Sequence, residues 1–168
     1  MERYMIDEWE IVLRVCSALL AGGIIGWERE RRGKAAGFVT NMLVCVGAAT
    51  ISVIQVLIIR DSLELIASDP NNALVFKSDL ARMTAQIISG VGFLGAGAII
   101  HEKGSIKGIT TAAIIWVVAA IGIAFGMGFY FLGFVVTVIV FFMIFILKKA
   151  EVNYISKRNA NYEPFLDD

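Results

Sequence analysis

Several small groups of residues in this 168-residue chain have types and spacings that could do chemistry. The stretch SGVGFLGAG at residues 89 to 97 contains G-x-G-x-x-G, formed by Gly90, Gly92 and Gly95, the spacing that cradles a dinucleotide pyrophosphate when it opens a helix after a buried strand. Just before it, Asp79, Arg82 and Gln86 follow one another at helical intervals, where an acid, a guanidinium and an amide could meet an ion or a partner helix. In WERERRGK at 27 to 34, Glu28 precedes Arg32 by four residues and Glu30 precedes Lys34 by four. These pairs can be ion pairs, their cations can hold anionic lipid headgroups, and Glu28 could offer oxygens to a hydrated Mg2+, which needs only one or two carboxylates. Asp79 is the other acid with that potential. Glu10 and Arg14 form a further pair of the favourable order. His101 is the single histidine, in the connection HEKGSIKG, and without a nearby histidine or cysteine it reads as a loop residue.

The elements that must carry these groups are set by the rest of the composition. Hydrophobic residues make up 58% of the chain and charged residues 18%, with a mean hydropathy of +0.75, far more apolar than an ordinary soluble domain. Fifteen basic residues balance fifteen acidic ones, which argues against nucleic acid as a partner and leaves the lipid bilayer. Five apolar runs approach or reach the roughly 20 residues that cross a bilayer: about 9–26, 38–59, 80–100, 109–125 and 129–147. The expected architecture is therefore an all-α integral membrane protein, a bundle of five transmembrane helices over residues 1–147 followed by a short polar tail, 148–168. Asp7, Glu8 and Glu10 occupy the place where a signal peptide would be basic, so the first run reads as a retained span. Ten Lys and Arg flank the spans on one side against four on the other, which predicts an outside N-terminus and a cytoplasmic C-terminus. Cys16 and Cys45 lie inside apolar runs and read as packing residues.

Within this frame the glycine motif loses its nucleotide meaning. It lies inside a run of helix length, and no acid stands about 20 residues on, where the chain reads Trp116-Val117-Val118. On a helical wheel Ala85, Ser89, Gly92 and Ala96 form a small-residue stripe, with Gly95 nearby, opposite Ile87, Val91, Leu94 and Ala98. Small residues let helix backbones approach in lipid, and Gly22 and Gly26 offer the same device in the first span. The first and third spans are thus expected to make the tightest contact, with Arg82 and Gln86 pointing into the bundle. Thr110 and Thr111 open the fourth span as capping or bridging hydroxyls, and Trp116 lies too deep for an interfacial belt. No triad, P-loop or paired catalytic carboxylates appear, so no enzyme is expected.

Three stretches carry a family resemblance: GWERERRGKAAG at 26 to 37, DLARMTAQIISGVGFLGAGAII at 79 to 100, and KGITTAAIIW at 107 to 116. In their order and placement the chain resembles the membrane domain of the MgtC/SapB family, over about residues 11 to 147. The resemblance carries to Glu28, Lys34, Gly37 and Thr40, to Asp79, Arg82, Gln86 and the glycines after them, and to Thr110, Thr111, Ala112, Ala113 and Trp116. The chain departs where the family commonly has an arginine and a histidine, placing Val39 and Asn41 there. Many members carry a cytoplasmic ACT-like domain after the fifth span, which the sequence ends too soon to include. The resemblance implies a multi-pass protein of the bacterial inner membrane, tied to growth at low magnesium and in some pathogens to survival in phagocytes. Two activities are attached to the family: a Mg2+ transporter, and a regulator of other membrane machines, notably the F-type ATP synthase. A homo-oligomer, by base rate a symmetric dimer, is the expected assembly.

Overall fold

The computed structural model describes residues 6–68, 82–102 and 105–160. Five helices account for most of them: α1 (Glu8–Arg31), α2 (Phe38–Ser68), α3 (Arg82–Gly97), α4 (Ile109–Gly126) and α5 (Tyr130–Ala160). A two-stranded hairpin, β1 (Ile100–Glu102) and β2 (Ser105–Lys107), joins α3 to α4 with His101 opposite Ile106. Three helices, α1, α2 and α4, are long and apolar enough to cross a membrane, and α5 adds the apolar stretch Tyr130–Phe145.

The helices outrun the apolar segments that announced them, for reasons that differ from one to the next. The first continues past the apolar run because WERER is itself a helix-favouring sequence whose terminal Arg29 and Arg31 complement the macrodipole, as Glu8 and Glu10 do at its start. The fifth runs on through Ala160, so part of the expected polar tail continues α5. The third is the exception. Among the described residues it covers Arg82–Gly97, about 24 Å of rise against a hydrocarbon core about 30 Å thick, because the chain turns into the hairpin by Ile100. SGVGFLGAG is nevertheless helical throughout, which removes the strand-turn-helix setting a nucleotide loop requires.

α4 is the hub, in contact with each of the other four helices. One buried cluster joins α1, α2 and α4 through Ala18, Ile25, Cys45, Ala49, Val118 and Ile121. A second joins α2, α3 and α4 through Ala48, Ile87, Val91, Ile115 and Ala119. The small residues in these seams bring backbones together. A Cβ on Gly22 would lie 2.7 Å from the Asn41 carbonyl oxygen and one on Gly26 would lie 2.8 Å from Phe38 Cα, so α1 rests directly on α2. Gly122 and Gly126 do the same between α4 and α2, facing the carbonyls of Cys45 and Ala49.

Two expectations are corrected here. Gly22 and Gly26 do pack a helix, but it is α2, because α1 and α2 are joined by a short turn and lie side by side. Within the chain, α3 packs through Ile87, Val91 and Gly95, the last against Ala112 of α4, while Ala85, Ser89, Gly92 and Ala96 are exposed. The larger apolar side chains win the inward face because they have partners to fill there, and the small stripe is left outward.

Candidate functional site

The charged residues of the bundle collect at its two ends. At one end α1 supplies Glu10 and Arg14. Arg14 is only 2% exposed, yet it donates from Nε and Nη2 to Glu10 Oε1 at 3.1 and 2.5 Å and from Nη1 to the Gly126 carbonyl at 2.9 Å. The acceptor is one of the orphan carbonyls at the end of α4, so the guanidinium both neutralises a carboxylate and caps a helix C-terminus. The turn from α4 to α5 is shaped around it. Gly128 sits at φ +81°, and a Cβ there would be 2.7 Å from Arg14 Nη2, so glycine serves both the left-handed turn and the room for the cation. The Tyr130 hydroxyl is buried in the same cluster. Arg14 is an interior anchor here rather than a residue snorkelling to water.

At the other end, successive residues of WERERRGK reach three different helices. Arg29, 3% exposed, donates from Nη2 to Thr111 Oγ1 at 2.6 Å, in the first turn of α4. Glu30 Oε2 accepts the Phe38 N–H at 2.7 Å, satisfying an orphan donor at the start of α2. Arg32 donates to the Ile144 carbonyl of α5 at 3.0 Å and is held in place by an ion pair with buried Glu28. Steps of about 100° per residue let a helix end distribute adjacent side chains over its circumference, and the motif uses this to gather α2, α4 and α5 around α1. Asn41 completes the junction: fully buried, it donates through Nδ2 to the carbonyls of Ala36 and Gly37 at 3.1 and 2.7 Å. Asn41 therefore ties the α1–α2 turn to the first turn of α2. Removing the Thr111 acceptor tests this end. Thr111→Val leaves the Arg29 guanidinium buried beside a methyl group and should lower stability by about 1–3 kcal/mol, while Thr111→Ser keeps the hydroxyl and most of the stability. Thermal unfolding of the two variants in detergent distinguishes them, and equal loss in both would remove the role given to the hydroxyl.

The other residues singled out from the sequence fall as follows. Thr110, Lys34 and Thr40 are exposed, and Trp116 faces outward at 44% exposure. Arg82 and Gln86 are exposed as well, at the rim of a groove between α2 and α3, so they do not point into the bundle. Asp79 lies outside the described residues. Glu28 is committed to Arg32 in a nearly closed environment, 7% exposed, which does not suit a cation that keeps several waters. Among the described residues no three His, Cys, Asp or Glu side chains converge as a metal site. Glu30 engages the α2 N-terminus, where an ion pair with Lys34 is the expectation from spacing alone.

Two groups of consequence are not evident from the sequence. Gln55, 4% exposed, accepts from the backbone N–H of Thr84 at 2.9 Å and from its hydroxyl at 3.0 Å, tying the middle of α2 to the first turn of α3. Arg29 is the second, one of four cations in WERERRGK and the one of them that is buried. A polar residue inside an apolar run was the available signal for Gln55; nothing in the spacing separates Arg29 from its neighbours.

The model of the MgtC family matches residues 15–153. Among curated proteins, the chain is 41% identical over 126 residues to "Putative magnesium transporter YhiD" of Escherichia coli, covering 74% of this chain and 54% of that protein. It is 42% identical over 114 residues to "Protein MgtC" of Brucella abortus, covering 68% of this chain and 41% of that one. An uncharacterized protein of Haemophilus influenzae is 38% identical over 135 residues, 80% of this chain and 54% of the other. The chain thus spans about half the length of the curated relatives it matches. No solved structure matches.

Proposed function

Because the chain belongs to the MgtC family, we propose that it is a magnesium-linked protein of the bacterial inner membrane acting as an embedded regulator, docking another membrane protein or a second copy of itself. The five-span arrangement with an outside N-terminus and a cytoplasmic C-terminus is part of this reading. The observation that carries it is the way the buried charges are used. Arg14 is paired with Glu10 and the end of α4, Glu28 is paired with Arg32, and Arg29 gives a hydrogen bond to Thr111 while its buried Nε has no partner among the described residues; each bond joins or braces helices. Charges engaged in holding a bundle closed are not free to replace the hydration shell of a moving ion. The glycine seams support the same reading, because α1 and α4 each approach α2 backbone to backbone.

The resemblance points to the F-type ATP synthase as the kind of machine such a regulator would touch. The name of the Escherichia coli relative supports a second reading, a small Mg2+ transporter. Purified protein in proteoliposomes loaded with a Mg2+-sensitive dye separates the two. Vesicles as silent as protein-free controls, together with photocrosslinks to ATP synthase subunits in intact cells, are the expected result. Mg2+ entry that scales with protein and disappears in Arg14→Met would overturn the regulator reading.

A further inference from the structure

The groove between α2 and α3 has a volume of about 650 Å3, and its lining is polarised along its length. Arg82 and Gln86 stand at one end, and every other lining residue is apolar or glycine, down to Leu43 and Leu94 at the opposite end. Two of the residues in it are glycines that bring no backbones together: a Cβ on Gly47 or on Gly90 would meet nothing within 4 Å. In the seams of α1, α2 and α4 glycine permits contact, whereas here it deepens a channel. From Arg82 to Leu94 the helix rises about 18 Å, close to the roughly 15 Å of one leaflet's hydrocarbon. The walls of the groove are apolar side chains of two helices and its floor includes two glycines, so it accepts a flexible apolar chain laid lengthwise.

We propose that this groove binds one anionic phospholipid, with the lipid phosphate on the Arg82 guanidinium and one acyl chain laid between α2 and α3 against Gly47 and Gly90. The guanidinium is the side chain best matched to phosphate, through two parallel charge-assisted hydrogen bonds, and it is weakly enough hydrated to do this at a lipid boundary. Gln86, one turn further along α3, is placed to donate to an ester carbonyl below the headgroup. The proposal concerns a ligand of the α2–α3 face and stands whether the protein regulates a partner or moves an ion.

Native mass spectrometry of the full chain, released from nanodiscs of equal phosphatidylglycerol and phosphatidylcholine, tests it. Wild type should retain one phosphatidylglycerol per chain with a preference of about tenfold over phosphatidylcholine, which carries the same phosphate but whose choline ammonium cancels its net charge and competes with the guanidinium for it. Arg82→Gln should bring that preference close to parity while some lipid of either kind is retained. Gly90→Leu should displace the retained lipid altogether, with a melting temperature no lower than wild type because the new Cβ enters open space and leucine is favoured over glycine in a helix interior. Arg60→Gln, at an exposed ion pair with Asp61 outside the groove, should behave as wild type. A phosphatidylglycerol preference that survives Arg82→Gln, or that Arg60→Gln abolishes equally, overturns the headgroup site. Full lipid retention in Gly90→Leu overturns the acyl site. Near-quantitative disulfide-linked dimers of Gly90→Cys in native membranes would place a second copy in the groove and also overturn it.

Discussion

Gly122→Ala is expected to unfold the bundle at a markedly lower temperature than wild type, although it adds one methyl group and improves helix propensity. The added Cβ would strike the carbonyl oxygen of Cys45, with the Ala48 side chain close beside it. A flexible side chain could rotate away, but a backbone carbonyl inside α2 cannot move without breaking helical hydrogen bonds, so α4 must retreat from α2. Overpacking of this kind costs typically 1–3 kcal/mol and occasionally more. The displacement would also disturb α4's contacts with α1, α3 and α5, since α4 touches all of them, which places this substitution at or above the top of that range. Gly126→Ala, against the Ala49 carbonyl, should behave alike. Gly92→Ala is the matched control, because a Cβ there meets open space and alanine is favoured over glycine in a helix interior by roughly 0.5–1 kcal/mol. Thermal denaturation of the purified variants in one detergent should separate them in sign. A destabilised Gly92→Ala, or an unaffected Gly122→Ala, would mean that the glycine seam is not where α2 and α4 are held.

The second large effect is an asymmetry between the partners of the buried ion pair. Glu10→Ala leaves Arg14, 2% exposed in the intact pair, charged and with the Gly126 carbonyl as its remaining acceptor among the described residues. Removing one partner of a buried pair costs about 3–5 kcal/mol, and the lower half of that range applies because Glu10 is itself about one-third exposed. Arg14→Met removes the charge, fills much of the same volume, and leaves behind a carboxylate that water can reach. It should cost appreciably less. The double substitution Glu10→Ala with Arg14→Met should recover most of the loss of Glu10→Ala alone, a coupling that a double-mutant cycle of unfolding measurements reads directly. Additive losses would show that the pair contributes no coupling and that Arg14 is held by α4 alone.

These two sites mark how far the sequence could be read. Apolar run length is a one-dimensional quantity, and it located α1, α2, α4 and the start of α5 well. The Glu10–Arg14 and Glu28–Arg32 pairs are likewise local, four residues apart on one helix, and both are present. Thr111, expected as a capping or bridging hydroxyl, does join α4 to α1, but which helix lies beside which was otherwise not legible. The wheel of α3 sorted small from large residues correctly, but the assumption that the small face turns inward ignored the large side chains that α2 and α4 offer to Ile87 and Val91. Gly22 and Gly26 pack as their spacing suggests, against α2 instead of α3. The Arg29–Thr111 bond crosses 82 positions of sequence and the Arg14–Gly126 bond 112, and no local pattern contains such distances. Gly122 and Gly126 sit in an apolar span at the same i, i+4 spacing as Gly22 and Gly26, which was the one available sign of the α2–α4 seam.

The hairpin between α3 and α4 has a mechanical consequence. Gly108, at φ +93°, lies against the Ala98 carbonyl so closely that no side chain could stand there, and β1 pairs with β2 across the same short connection. That end of α3 is therefore clamped to α4. Toward the opposite end, Gln55 holds Thr84 by two hydrogen bonds to a single oxygen. α3 is thus tied to α4 beyond its C-terminal end and to α2 at Thr84, so the two ties lie toward opposite ends of the α2–α3 groove and brace it along its length.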